Sequence, residues 1–466
     1  MTLLVQALPL IVLVGLLASG RTGPMPACAA AIVLTLPAAL LALPDGLGGL
    51  PGFVAASLSQ GLFLALIPVG VMAGGLLFHA ATGRPERPGI ETTRSHAGVL
   101  FDAAFLLGPF TEAVTGFGVG SVFAIGALRR IGLAGTAAAA IAMLAQIIVP
   151  WGGLGPGTSV GAALAGIPAQ AMALRNAVQL SAALPFLLLL FWYYASLVGV
   201  TITARERLGH VFWLACFAAL LVGCHYVVPW EVSGLLATGP LLALRLLRAH
   251  PPRGAGGWWQ AGTAAAPYLL LAAMLLARPL WQHPPSWQPF GDLPALPLNH
   301  AMVALWVAAL ALLAARRDGL AIAGQALRRM PRTALVLLLF VLLARTLGNA
   351  GVPQALAAAL AHAFGGLAPY AGPLLAAGGA FVTGTNTGGN SAMMPLQSAL
   401  GRAAGLAPTV LPAVQNSSLT LLMAPQLTAV VVHLAGGGAN LGAVWRLSWP
   451  VALIGILIGM AAVAIG

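Results

Sequence analysis

Long apolar runs separated by short polar segments set the pattern of this chain. The runs cover residues 3–19, 26–44, 52–80, 97–128, 132–172, 177–202, 209–228, 232–247, 262–277, 299–315, 333–347, 369–401, 405–434 and 447–465. About 20 apolar residues in a helix cross a hydrocarbon core of roughly 30 Å. The runs are rich in Leu and Ala and apolar on every side, which favours helices over the alternating strands of a barrel. The pattern predicts an all-α polytopic membrane protein with about eleven or twelve transmembrane helices.

Four runs are broken in the middle. GPFTEAVTGFGVGS (108–121) interrupts the first, PWGGLGPG (150–157) the second, TGTNTGGNS (383–391) the third and VQNSSLTLLMAPQLT (414–428) the fourth. Backbone facing lipid must be hydrogen-bonded within the protein, so such breaks are expected to face a protein-lined or water-filled interior. The first and third share small residues, Thr and a central polar group, and each precedes a second broken run. This order predicts two inverted repeats, each with a re-entrant hairpin and a broken helix.

Arginine placement agrees with that plan. Arg84, Arg87 and Arg94 precede 97–128, and Arg129 and Arg130 close it. With arginines on the cytoplasmic side, this run enters and leaves by the same face, and the count then requires 369–401 to do so from the other face. The first repeat is expected over 1–230, with its hairpin at 97–128 and broken span at 132–172. Residues 231–332 supply connecting spans and an amphipathic cytoplasmic helix, RRDGLAIAGQALRRMPR (316–332). Residues 333–466 form the core of the second repeat, with its hairpin at 369–401 and broken span at 405–434.

Composition narrows the function classes. The chain is 60% hydrophobic and 6% charged, against about 25% charged in soluble domains. Its net charge of +12 comes from 21 basic residues, all arginine and mostly in short loops. That is the positive-inside pattern, not a nucleic-acid groove. Cys28, Cys216 and Cys224 lie in apolar runs and give no disulfide framework. Residues 1–20 lack a basic leader and read as a first span. No metal-ligand spacing and no phosphate-binding glycine loop appears, so no metal, cofactor or direct ATP drive is expected.

The broken segments carry the candidate chemistry. Helix N-termini at the breaks offer free N–H groups and partial positive charge to a carboxylate. The candidate substrate-binding set is Thr115, Gly116, Phe117 and Gly118 in the first hairpin and Trp151, Gly152 and Gly153 in the first broken span. The second hairpin adds Thr383, Gly384, Thr385, Asn386, Thr387, Asn390 and Ser391, and the second broken span adds Gln415, Asn416, Ser417 and Gln426. These groups suit a small hydroxylated organic anion. The competing reading is glycine used for tight helix packing.

Glu112 is one of nine acidic residues and lies within an apolar run. A charged carboxyl there costs several kcal/mol without partners, so it is a candidate proton-coupling group. The alternative is a neutral carboxyl that bonds a neighbouring helix and never titrates. Asp102 is a second proton-coupling candidate, with a structural role near the membrane surface as its competing reading.

These motifs resemble those of the L-lactate permease family. Glu112, Gly116, Phe117 and Gly118 match its first signature, and Thr383, Gly384, Thr387 and Asn390 its second. Asn416, Pro425 and Gln426 match a later Asn-Thr-Thr and Met-x-x-Pro-Gln stretch. The chain departs from the family pattern at Asn386, where an aspartate is usual, and at Leu421 and Leu422, where a lysine is usual. It departs again at IIVP (147–150), where the family has Asn-Thr-Ala-Pro.

The resemblance implies a carrier of the bacterial inner membrane that takes up a 2-hydroxymonocarboxylate, lactate or glycolate, with protons. It also implies elevator-type movement and, by analogy, a homodimer. The alternatives are a sodium-coupled organic-anion transporter of the same architecture, an intramembrane transferase and a channel.

Overall fold

The computed structural model describes residues 2–41, 48–83, 95–116, 118–149, 154–328 and 330–466. It is helical apart from one short ladder. Helices α1 (Thr2–Ala18), α2 (Pro24–Leu40) and α3 (Gly49–Thr82) come first. The first hairpin follows as α4 (His96–Asp102), a π-helical turn over Ala103–Leu107, α5 (Gly108–Thr115) and α6 (Val119–Arg130). The first broken span is α7 (Gly135–Leu144) and α8 (Pro156–Ala165).

Helices α9 (Ala169–Leu197), α10 (Ala204–Val227), α11 (Trp230–Ala249) and α12 (Gly254–Ala277) are long. A loop then pairs β1 (Ser286–Trp287) antiparallel with β2 (Leu296–Pro297), Ser286 opposite Pro297. Helices α13 (Ala301–Ala314), α14 (Gly319–Arg328), α15 (Pro331–Asn349) and α16 (Val352–Phe364) lead to the second hairpin. That hairpin is α17 (Ala371–Thr383) and α18 (Asn386–Ala403). The second broken span is α19 (Val410–Asn416), a 3-10 turn at Leu419–Met423 and α20 (Pro425–Ala435), and α21 (Leu441–Ile465) ends the order.

Among the described residues, eight helical segments are long and apolar enough to cross a membrane, or nine if the pair bent by 41° at Met423–Pro425 is one span. Shorter apolar helices at Thr2–Ala18, Pro24–Leu40, Gly135–Leu144 and Ala301–Ala314 account for the larger number expected from hydropathy.

Two boundaries differ from the sequence reading. The break expected between 172 and 177 lies inside α9, because Asn176 is buried and donates to Ala413 O at 3.3 Å. A polar residue that reads as a loop is here satisfied across a helix interface. Helix α16 falls between two expected runs. Gly351 and Gly365, both with positive φ, bound it, and it packs on α18 and α1.

Two sets of contacts organise the helices, joined where α15 packs on α18 and α3 on α8. Helix α3 packs along α13, α14 and α15, and α15 also packs on α2. The hairpins and broken spans pack on one another in a crossed pattern. Hairpin helix α6 packs against α7 of the first broken span and α20 of the second. Hairpin helix α18 packs against α19 of the second and α8 of the first. Arg129 fastens the first exchange by donating to Ala435 O at 3.1 Å.

Asp102 is buried at the start of the first hairpin and is ion-paired with Arg245 of α11. The guanidinium lies 5.0 Å from the Phe101 ring centroid and 5.4 Å from that of Trp213. Removing one partner of such a buried pair leaves the other charge poorly compensated. Arg245→Ala is therefore expected to lower stability in detergent by about 3–5 kcal/mol, read as a fall in the unfolding midpoint. Asp102→Asn combined with Arg245→Gln should recover much of that loss, which the same melt checks.

Candidate functional site

The first hairpin turns at Gly116 and Gly118, whose φ angles are 71° and 87°. Glu112, one turn before the end of α5, is 2% exposed. Its Oε1 accepts from Gly118 N at 3.2 Å and from Gln146 Nε2 at 3.1 Å, and its Oε2 accepts from Gly120 N at 2.9 Å. The carboxyl thus caps α6, supplying an acceptor to N–H groups that have no partner within the helix. Close approach of α5 and α6 makes this reach possible. A Cβ at Gly120 would lie 2.5 Å from Gly108 O and 2.8 Å from Glu112 Cβ. Thr115 donates its hydroxyl proton to Thr111 O at 2.6 Å.

The second hairpin turns at Gly384, after which Thr385 caps α18 by accepting from Gly388 N at 2.9 Å. Three amides then meet at its tip. Asn386 donates to Asn416 O at 2.7 Å. Asn390 Nδ2 donates to Asn416 Oδ1 at 2.6 Å and to Gly157 O at 2.8 Å. Asn416 Nδ2 donates to Thr158 Oγ1 at 2.9 Å. Asn390 and Asn416 are fully buried. The cluster ties the start of α18 to the end of α19 and the start of α8. Gly157 is the point of closest approach, since a Cβ there would lie 2.0 Å from Asn386 Oδ1.

The start of α20 links the two tips. A Cβ on Gly384 would meet Gln426 Oε1 at 2.6 Å, and one on Gly118 would meet Leu427 Cδ1 at 3.0 Å. Consecutive side chains of α20 therefore touch both hairpin turns. A cavity of about 280 Å³ opens beside the next turn of α8, lined in part by Ser159, Trp230, Glu231 and His300. Glu231 pairs with Arg278 there at 3.2 Å.

The sequence-predicted residues divide among these places. Thr115, Gly116 and Gly118 lie with Glu112 at the first tip. Thr383, Gly384, Thr385, Asn386, Thr387, Asn390 and Ser391 form the second tip, with Asn416 against it. Thr383 donates to Gly379 O at 2.8 Å within its own helix. Ser417 leaves the cluster and donates to Gln179 Oε1 at 2.6 Å. Gln415 lies between the arms of the second hairpin, where it accepts from Gln397 Nε2 at 3.2 Å. Asp102 sits at the base of the first hairpin in its ion pair with Arg245. Phe117, Trp151, Gly152 and Gly153 lie outside the described residues.

Thr158, Gln146 and Gln179 were not among the expected site residues. Thr158 had a signal, a hydroxyl in the first turn after Gly-Pro-Gly in a broken span. Gln146 and Gln179 are lone amides in apolar runs, whose partners are set by neighbouring helices. Among the described residues no group of three or more His, Cys, Asp or Glu could hold a metal ion.

The family model for L-lactate permease matches residues 297–464. That segment contains the second hairpin and second broken span, and Glu112 lies outside it. No curated protein matches the sequence. Among solved structures, the Alcanivorax borkumensis YdaH transporter, described as having an unusual topology, aligns at 16% identity over 95% of this chain and 98% of its own, with a TM-score of 0.48.

The tight contact at the amide cluster gives a direct test. Gly157→Ala is expected to cost about 1–3 kcal/mol through overpacking. Gly223→Ala, where the new Cβ meets nothing within 4 Å, should be neutral or slightly stabilising. Thermal unfolding of the two variants in detergent measures the difference.

Proposed function

We propose that the chain is a secondary active transporter that takes up a small monocarboxylate, L-lactate or glycolate, with protons across the bacterial inner membrane. The observation that carries this reading is the meeting of hairpin turns and broken-span ends. The starts of α8 and α18 converge on one buried amide cluster, and the start of α20 reaches both tips. Converging helix N-termini suit a carboxylate, and neutral amides and hydroxyls suit a substrate hydroxyl. The match of residues 297–464 to L-lactate permease supports the substrate class.

The crossed packing supports two repeats of opposite direction, over 1–230 and 333–466, with 231–332 between them. In each half a hairpin packs on the first part of its own broken span and the second part of the other. The hairpins and broken spans would travel together against a scaffold built on α3, α13 and α15, an elevator-type movement. Glu112 would carry the coupling proton, taking it up on one side and releasing it on the other. Asp102, held by Arg245, fits the structural role better.

A second reading keeps the carrier and replaces the proton with sodium. It rests on Asn390 Oδ1, which is buried and has no hydrogen-bond partner among the described residues. Gly157 O and Asn416 Oδ1 are already served by the Asn390 amide nitrogen, which leaves Asn390 Oδ1 as the neutral oxygen that would suit a hard cation.

The test is uptake of labelled L-lactate and glycolate by the purified protein in liposomes under an imposed pH gradient. The wild type is expected to accumulate substrate against its gradient, and Glu112→Gln to lose at least tenfold of that accumulation while still eluting as a folded protein in detergent. Accumulation that needs sodium and survives Glu112→Gln would replace the proton reading with the sodium one.

A further inference from the structure

We infer that Gln146 is a positioning residue that lets Glu112 exist in both protonation states by turning its side-chain amide over. The inference rests on the proton-coupling role proposed for Glu112. Every hydrogen bond described at the Glu112 carboxyl is one that it accepts, from Gly118 N, Gly120 N and Gln146 Nε2. That set suits a carboxylate. A carboxylic acid must also donate its proton, and a buried O–H without an acceptor is unfavourable.

The acceptor is already in place on the same amide. Gln146 Oε1 is buried and has no hydrogen-bond partner among the described residues. Its sister atom Nε2 lies 3.1 Å from Glu112 Oε1. A half-turn about the terminal bond of glutamine exchanges the two atoms, and that torsion is soft. The N–H then serves the carboxylate, and the carbonyl oxygen serves the acid. The two backbone donors cannot make this exchange, so the adaptable partner has to be Gln146.

Charged groups on the surrounding elements are directed elsewhere. His79 of α3 stacks edge-on with Phe123, at 5.5 Å between centroids. Arg129 bonds Ala435 O, and Arg130 follows it at the far end of α6. Glu231 and Arg245 of α11 pair with Arg278 and Asp102. The residues of α7 are all uncharged.

Gln146 lies two residues past the end of α7. Its amide therefore links the proton on the first hairpin to the broken span that continues into α8. Protonation would turn a carbonyl toward Glu112 and a donor to the place Oε1 now holds, within 3.7 Å of where a Cβ on Gly118 would lie.

Infrared difference spectra of proteoliposomes between acid and neutral pH read both groups at once. A protonated-carboxyl band is expected in the wild type and lost in Glu112→Gln. A glutamine amide band of the same pH dependence is expected beside it and lost in Gln146→Met. Carbonyl-13C labelling of glutamine in the wild type identifies that amide band without a Gln146 variant, and Glu112→Gln must abolish its pH response.

A carboxyl band lost in Glu112→Gln with no accompanying glutamine band would overturn the role of Gln146 and leave the coupling by Glu112 standing. Absence of any carboxyl band sensitive to Glu112→Gln would overturn both.

Discussion

An unpartnered peptide group in hydrocarbon costs several kcal/mol, and this chain interrupts its helices at four places. Each interruption frees N–H groups on one side and carbonyls on the other. Side chains from other segments supply much of what is missing. Glu112 accepts from Gly118 and Gly120 at the start of α6. Asn386 serves Asn416 O at the end of α19, while Asn390 adds a bond to Gly157 O that draws α8 against α18. The hairpins therefore cannot stand apart from the broken spans. Sealing the breaks obliges them to pack together.

That obligation explains the small residues. Side chains as short as Asn and Glu reach another backbone only if the helices approach closely. Gly120 allows α5 and α6 to meet at Gly108, and Gly157 allows α8 to meet Asn386. The amide cluster that results is neutral, with Asn390 and Asn416 fully buried, so it can hold polar groups inside the membrane without the desolvation cost of a charge. Glu112 is different. It is an ionisable group at a tip, and every hydrogen bond described at its carboxyl is one that it accepts. The ionic pairs Asp102–Arg245 and Glu231–Arg278 sit beside this core and tie α11 to the first hairpin and to the loop before α13.

Much of this was legible in the residues. A carboxylate between Thr and Gly-x-Gly in an apolar run marks a place where the helix breaks, and α5 does end at Thr115 before Gly116 and Gly118. Asn386, Asn390 and Asn416 stood out as polar groups where hydropathy allows few. The roles of Gln146 and Thr158 were not legible, because their partners lie 34 and 258 positions away in sequence. Ser417 and Gln415 looked equivalent to Asn416, yet each turns to a different neighbour, Gln179 and Gln397. Successive helical residues are rotated by about 100°, so adjacent polar residues cannot all face one site.

The sequence by itself determined the helical membrane architecture, the places where helices break and the residue types available there. Hydropathy and the obligation to bond every peptide group depend on local composition alone. Only the tertiary structure decided which break caps which. The exchange of α8 and α20 between hairpins, the choice of Asn416 over its neighbours and the placement of Gln146 against Glu112 all depend on helix rotation and approach. Those are set by packing between segments far apart in the chain, where a few tenths of an ångström separate a hydrogen bond from a clash.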